Sequence, residues 1–168
     1  MLRNIFLALL LAASVHAQQQ RRPLPLTAIP TPNTQKISLT QYRGKVLAIV
    51  VISTTCADCI QTVGMLSKVQ KDLGPRGFQA VGAAGDENAQ YLVGPFIQRY
   101  KPSFPIGYLT KDDIIKLAAI PKDKRPVAPI LLFVDKKGAV RFQYYGDDAF
   151  FKTAEGTTRS IVTNLLKE

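Results

Sequence analysis

Residues 45–59 read KVLAIVVISTTCADC, and this stretch decides the fold of the chain. Its first eight residues are rich in β-branched side chains and lack polar alternation, which is typical of a parallel strand covered on both faces. Cys56 and Cys59 form a Cys-x-x-Cys pair at the start of a predicted helix, Cys59 to Leu73. A helix start offers unpaired N–H groups and partial positive charge, and both favour a thiolate at Cys56. The pattern predicts reversible disulfide chemistry.

The first 17 residues have the pattern of a secretory signal peptide. Arg3 precedes an apolar run of 11 residues, and Val15-His16-Ala17 suits cleavage. The run is shorter than the roughly 20 residues that span a bilayer, so an uncleaved anchor is the alternative. We expect a mature chain starting at Gln18. It would lie outside the cytoplasm, in the bacterial periplasm or secreted, where disulfides persist.

Composition excludes several kinds of site. The 168-residue chain has 22 Lys and Arg against 12 Asp and Glu, a net charge of +10. Its one histidine, His16, would leave with the signal peptide. We therefore expect no histidine-based triad or general base, no metal site and no cofactor. The charge of an exported protein favours an anionic membrane surface or an acidic protein partner over nucleic acid, with solubility as the alternative.

Residues 18–35 are rich in Pro and Gln, which predicts a flexible linker before one folded domain at 36–168. Within that domain, strand and helix patterns alternate. We expect Asp86 and Asn88 to cap the second helix. The predicted strands cover 45–52, 78–84, 130–134 and 139–144, and the predicted helices cover 59–73, 89–100, 112–119 and 157–167. This order predicts an α/β fold, a mixed β-sheet flanked by helices on both faces.

At four places the chain resembles the thioredoxin superfamily, and within it the exported thiol-disulfide oxidoreductases of the TlpA and ResA type. Residues 37–46 resemble the family's lead into its central strand, and Cys56-Ala57-Asp58-Cys59 lies at its redox motif. Val127-Ala128-Pro129-Ile130 lies where the family has a cis-proline before a strand, and residues 135–138 match its hairpin turn. The resemblance implies a thioredoxin-like fold over residues 36–168.

The resemblance also implies roles for individual residues. Cys56 would be the exposed nucleophile and Cys59 the buried resolving thiol. Pro129, in cis, would place the backbone of Ala128 beside Cys56 to pair with an extended substrate chain. The implied partners are protein disulfides or dithiols and an upstream electron donor that recharges the pair. A monomer is the default expectation.

The motif departs from the family pattern at three positions. Thr55 stands where the family commonly has Trp, so we assign it to the substrate-binding surface without the usual apolar platform. Val50 replaces a buried acid six residues before Cys56, so proton transfer from Cys59 needs another route. Asp58 puts a negative charge next to the thiolate and disfavours it. We therefore expect Asp58 to tune the pair towards a reducing potential.

Three alternatives stay open from the sequence. A structural disulfide is one, although a four-residue ring removes little entropy from the unfolded chain. A thiol peroxidase of the peroxiredoxin kind is the second, but Ile49 and Ser53 occupy the places where that group usually has Pro and Thr. The third is a binding or redox-sensing module that kept the fold without catalysis.

Overall fold

A computed structural model describes residues 21–168. The predicted signal peptide and residues 18–20 lie outside the described residues. Each helix within residues 21–168 is too short or too polar to span a lipid bilayer.

The centre of the fold is a six-stranded mixed sheet with the order β1-β8-β7-β4-β5-β6. Strands β4, β5 and β6 are parallel, whereas β7 is antiparallel to both β4 and β8. A second, two-stranded sheet pairs β2 with β3. The strands are β1 (Arg22–Pro23), β2 (Ala28–Pro30), β3 (Lys36–Ser38), β4 (Val46–Ile52), β5 (Phe78–Ala84), β6 (Ile106–Tyr108), β7 (Ile130–Val134) and β8 (Ala139–Tyr144).

Four α-helices cover both faces of the sheet, as the sequence predicted. They are α1 (Ala57–Leu73), α2 (Ala89–Tyr100), α3 (Lys111–Ala118) and α4 (Ala154–Lys167). Helix α1 begins two residues before the predicted start, because Cys56 caps it with its own side chain. Strand β6 was not predicted: three residues are too short for a pattern of alternation to show.

Strand β4 divides the core between two faces, because successive side chains of a strand point to opposite sides. Val46, Ala48, Val50 and Ile52 pack with α1, α2 and α4. Leu47, Ile49 and Val51 pack with α3 and the β2–β3 hairpin. All seven are buried, which explains why the run lacks polar alternation. The Cys-x-x-Cys pair follows directly at the carboxyl end of this central strand.

The folded part begins before Lys36, and this corrects the predicted linker. Strand β1 pairs with β8, and Ile29 in β2 lies opposite Ile37 with none of its surface exposed. A Cβ atom added to Gly107 of β6 would collide with the Pro30 carbonyl, so the hairpin packs closely against the sheet. Residues 21–35 are rich in proline, which favoured a linker, but a few apolar side chains such as Ile29 pack into the core and hold the segment in place.

Candidate active site

Cys56 lies at the N-terminus of α1 with its sulfur facing the first turn. Its backbone is extended (φ −80°, ψ 121°), and the Cys59 N–H donates a hydrogen bond to Cys56 Sγ at 3.3 Å. The Cys56 carbonyl accepts from the Ile60 N–H, which starts the helix. The sulfur therefore receives a donor and the positive end of the helix dipole, which both stabilise a thiolate.

The two thiols differ in exposure. Cys56 is half-buried, whereas Cys59 has none of its surface exposed, and both are free thiols. Burial raises the pKa of the Cys59 thiol to about 12 from an ordinary value of 9.0. Burial is the largest cause of this rise in pKa; the hydrogen bond with Cys56 and the negative charges of Cys56 and Asp58 contribute to it, while a bond with the Ser53 backbone opposes it. Cys59 is thus held protonated while Cys56 faces the surface.

The other residues predicted within the motif are at the surface. Thr55 and Asp58 are exposed on either side of Cys56. Thr55 Oγ1 lies 3.4 Å from Ser53 Oγ, and the Asp58 carbonyl accepts from the Thr62 hydroxyl. Substrate binding by Thr55 stays a prediction, as does tuning by Asp58.

The loop before β7 reaches the same edge of the sheet. The Ala128–Pro129 peptide bond is cis, as predicted. Val51 pairs with Ile130, so Ala128 and Pro129 lie alongside the segment that leads from β4 to Cys56. Ala128 is half-buried and Pro129 is buried.

Gly146, which no sequence motif marks, holds this loop in place through the chain that follows β8. The Gly146 N–H donates to the Val127 carbonyl at 2.8 Å. A Cβ at Gly146 would collide with the Ala128 carbonyl and lie 3.1 Å from the Pro129 nitrogen. Only glycine allows the chain after β8 to approach the cis-proline loop this closely.

Asp86 has a different role from the helix cap that the sequence predicts. Its carboxylate accepts from Ser53 Oγ at 2.7 Å and from the Thr54 N–H at 2.9 Å. The predicted side-chain capping of α2 by Asp86 and Asn88 is wrong, because neither side chain makes that bond; Asn88 is the N-cap by position only. Parallel pairing of β4 and β5 brings the ends of both strands together. Asp86 therefore holds the turn that presents Cys56.

Replacing Asp86 with alanine should slow alkylation of Cys56 by iodoacetamide about fivefold, as expected for losing about 1 kcal/mol of hydrogen bonding in the turn. Asp86→Asn, which keeps one acceptor oxygen, should fall between. Asp112→Ala, an exposed acid at the start of α3, is the matched control. Equal alkylation rates for the alanine variant and the control would show that Asp86 does not position Cys56.

No metal site accompanies these thiols in the described part of the chain. Nowhere in residues 21–168 do three or more His, Cys, Asp or Glu side chains come together as metal ligands would. The groups available for chemistry at this edge of the sheet are the two thiols and the polar groups around them.

Comparison with known proteins places the chain in a family. Residues 21–143 match the sequence profile of the AhpC/TSA family. No curated protein sequence matches the chain.

Solved structures share the fold at low sequence identity. A protein from Chlorobium tepidum, provisionally named thiol:disulfide interchange protein DsbE, superposes with a TM-score of 0.73 at 18% identity, over 87% of this chain and 96% of that one. A thioredoxin family thiol:disulfide interchange protein from Chlorobium tepidum TLS gives 0.72 at 21% identity, over 89% and 99%. A thiol:disulfide interchange protein from Bacteroides sp. gives 0.62 at 19% identity, over 81% and 88%. These likenesses establish the thioredoxin-like fold.

Proposed function

Because the chain belongs to the AhpC/TSA family, we propose that it is a thiol-disulfide oxidoreductase that uses Cys56 and Cys59 on protein partners. One observation carries the proposal: the sulfur of the half-exposed Cys56, at a helix N-terminus, accepts a hydrogen bond from the backbone N–H of Cys59, whose own thiol is fully buried. The names of the structural neighbours, several of them thiol:disulfide interchange proteins, support it. A purely structural disulfide that closes a four-residue ring would not need one exposed and one buried thiol.

The geometry supports a two-step exchange. The Cys56 thiolate attacks one sulfur of a partner disulfide, forming a mixed disulfide, and the displaced partner thiolate takes up a proton. Cys59 then loses its proton and attacks Cys56 Sγ, which closes the Cys56–Cys59 disulfide and releases the second partner thiolate. Two electrons pass to the partner, and a donor dithiol must return them.

The raised pKa of Cys59 predicts how the second step depends on pH. Only the thiolate attacks, and its fraction below the pKa grows about tenfold per pH unit. Burial is the largest cause of the shift, and we expect Cys59 to stay buried in the mixed disulfide. Release of a partner should therefore accelerate steadily between about pH 7 and pH 10, as measured by rapid quenching of a preformed mixed disulfide. A rate that is constant over this range would contradict a protonated resolving thiol.

We further propose that the pair is reductant-leaning because of Asp58. This carboxylate is exposed in the first turn of α1, one position from Cys59, and its charge opposes thiolates. Asp58→Asn should raise the reduction potential by about 10–30 mV, a modest shift because solvent screens an exposed charge. Asp112→Asn, at the start of α3, is the matched control. An unchanged or lower potential in Asp58→Asn would rule out this tuning.

The location and partners are also proposals. The signal-peptide pattern of residues 1–17 and the persistence of disulfides outside the cytoplasm support export of a chain that begins at Gln18. N-terminal sequencing of the protein from a periplasmic or culture fraction tests this. We also propose a monomer of the TlpA and ResA type, recharged by an upstream dithiol donor; sedimentation tests the oligomeric state.

A thiol peroxidase is the second candidate, and the AhpC/TSA match is the observation that favours it. The residues around Cys56 fit a thiol peroxidase less well than a thiol-disulfide oxidoreductase. Ile49 is fully buried in the middle of β4 on the face of the sheet opposite α1, and the Ser53 hydroxyl is engaged by Asp86. Peroxide consumption coupled to dithiol oxidation, measured beside protein disulfide reduction, separates the two activities.

The experiment that tests the main proposal is the reduction potential of the Cys56–Cys59 pair, by thiol trapping across a redox-buffer series. We expect a reversible two-electron couple within about −120 to −270 mV, the span of working oxidoreductases. A disulfide that resists reduction below about −300 mV, or thiols that never pair, would instead indicate a binding module without turnover.

A further inference from the structure

A cleft of about 970 Å³ opens beside the candidate active site, on the α3 face of the sheet. Ser53 and Ala128 line it, which connects it to the turn before Cys56 and to the cis-proline loop. Asp86, which holds that turn, is also part of its wall. Cys56 itself does not line the cleft, but a chain bound there would contact the turn that leads to Cys56 and the loop that carries Ala128.

The floor of the cleft is apolar. Its lining includes buried side chains from the central strands and from α3 and the segment after it, namely Val51, Ile130, Ile114, Leu109 and Ile120. Ile115 also lines the cleft and is 40% exposed. Val127 lies beside the cleft, next to the lining residue Ala128, and is 47% exposed. Covering such side chains would stabilise a bound partner through the hydrophobic effect.

The rim of the cleft is basic. Lys111, Lys122, Lys124 and Arg125 line it, all four are exposed, and none forms an ion pair with another residue of 21–168. These four side chains form the basic rim of the cleft.

Acidic groups around the cleft offset this charge only partly. The Asp86 carboxylate is already engaged by Ser53 and Thr54, which leaves Glu87 as the other acid in the lining. Asp123 belongs to the same loop as three residues of the rim but does not line the cleft. The surface that faces a ligand is therefore positive around an apolar floor, which favours a partner with acidic groups flanking an apolar one.

We propose that this cleft binds an extended acidic segment of the partner protein next to the disulfide that Cys56 attacks. The inference rests on the proposed function and names the substrate class of the same site. An apolar side chain of the segment would lie on the floor, and its Asp or Glu side chains would contact the basic rim. The rim comes from two separate segments, α3 and residues 122–125, which matches carboxylates spread along a chain.

Binding tests the inference without requiring turnover. Fluorescent, cysteine-free peptides of equal length would share one central Leu, flanked by Asp and Glu, by Ser and Gln, or by Lys. We expect the acidic peptide to bind at least about tenfold more tightly than the neutral one by fluorescence anisotropy at low salt. The preference should shrink when ionic strength rises from about 0.05 M to about 0.5 M, because salt screens exposed charges.

Matched variants locate the site. The triple variant Lys122→Gln, Lys124→Gln, Arg125→Gln should lose about fivefold or more of the acidic preference and leave binding of the neutral peptide unchanged. The control Lys45→Gln, Lys71→Gln, Arg76→Gln removes the same charge at the other end of the sheet, from exposed residues before β4 and near the end of α1. It should retain the preference.

Each outcome has one meaning. Equal binding of acidic and neutral peptides, or equal losses in both triple variants, overturns the inference. Rim-dependent binding to anionic phosphatidylglycerol vesicles or to DNA without any acidic-peptide preference also overturns it, in favour of a different occupant. Reduction of a neutral disulfide peptide by the reduced protein is measured separately. If the reduced protein does not reduce this peptide but still prefers acidic peptides, the proposed oxidoreductase function is wrong and the cleft is a peptide-binding site.

Discussion

Replacing Cys56 with serine is expected to abolish reduction of protein disulfides, with a rate at least about a thousandfold lower than that of the unmodified chain. The reason is that Cys56 is half-exposed at the helix N-terminus, whereas Cys59 is fully buried and its pKa is raised to about 12. Cys59 cannot substitute for it as the attacking thiolate. Turnover of a model protein disulfide with a supplied dithiol measures the effect.

Cys59→Ser is the matched variant because it removes the same atom from the other position. It should still attack the partner but fail to release it, so a covalent mixed disulfide through Cys56 should accumulate and be seen by mass spectrometry. The same adduct in Cys56→Ser, through Cys59, would reverse the assigned roles. Full turnover by either single variant would show that the pair is not the reacting group.

The second large effect concerns stability. Ile29→Ala should lower the free energy of unfolding by about 2–5 kcal/mol, the usual loss when a large aliphatic side chain in a core is truncated. Ile29 is fully buried in β2 and belongs to the cluster with Ile37, Leu117 and Val140. Chemical denaturation followed by circular dichroism measures the change.

Ile115→Ala provides the control of the same chemistry, because Ile115 is 40% exposed on α3 and should lose well under about 1 kcal/mol. If Ile29→Ala cost no more than this control, residues 21–35 would behave as the linker that their composition suggests. The expected large difference would place them within the cooperative unit that carries the active site.

The main elements of the fold follow from local sequence. The unbroken apolar run of β4 predicts a strand covered on both faces, and all seven of its residues are buried. Residues 135–138 predict a hairpin, and Gly138 has the positive φ of 84° that such a turn requires. Helix α2 has the predicted bounds, Ala89–Tyr100, although the side-chain caps predicted for its start are not formed. Each of these features depends on residues close together in the chain.

The candidate cysteine pair was also evident from the sequence, because the spacing of Cys56 and Cys59 and the strand before them are local. The residues that hold the pair in position were not evident from the sequence. Asp86 is 32 residues from Thr54 in the sequence. Gly146 follows β8, whereas Ala128, which it approaches, precedes β7. The sequence assigned Asp86 to capping α2, a local role, because no pattern in one chain shows which distant backbone group a carboxylate will reach.

The sequence by itself thus determined the order of the main elements, the two-sided core and the position of the two thiols. Those properties follow from side-chain polarity and spacing over a few residues. The tertiary structure alone decided which groups hold the turn before Cys56, that residues 22–30 join the fold, and that basic side chains surround an apolar cleft. Desolvation, hydrogen bonding and electrostatic fields depend on distances across the sheet, and only the packed chain sets those distances.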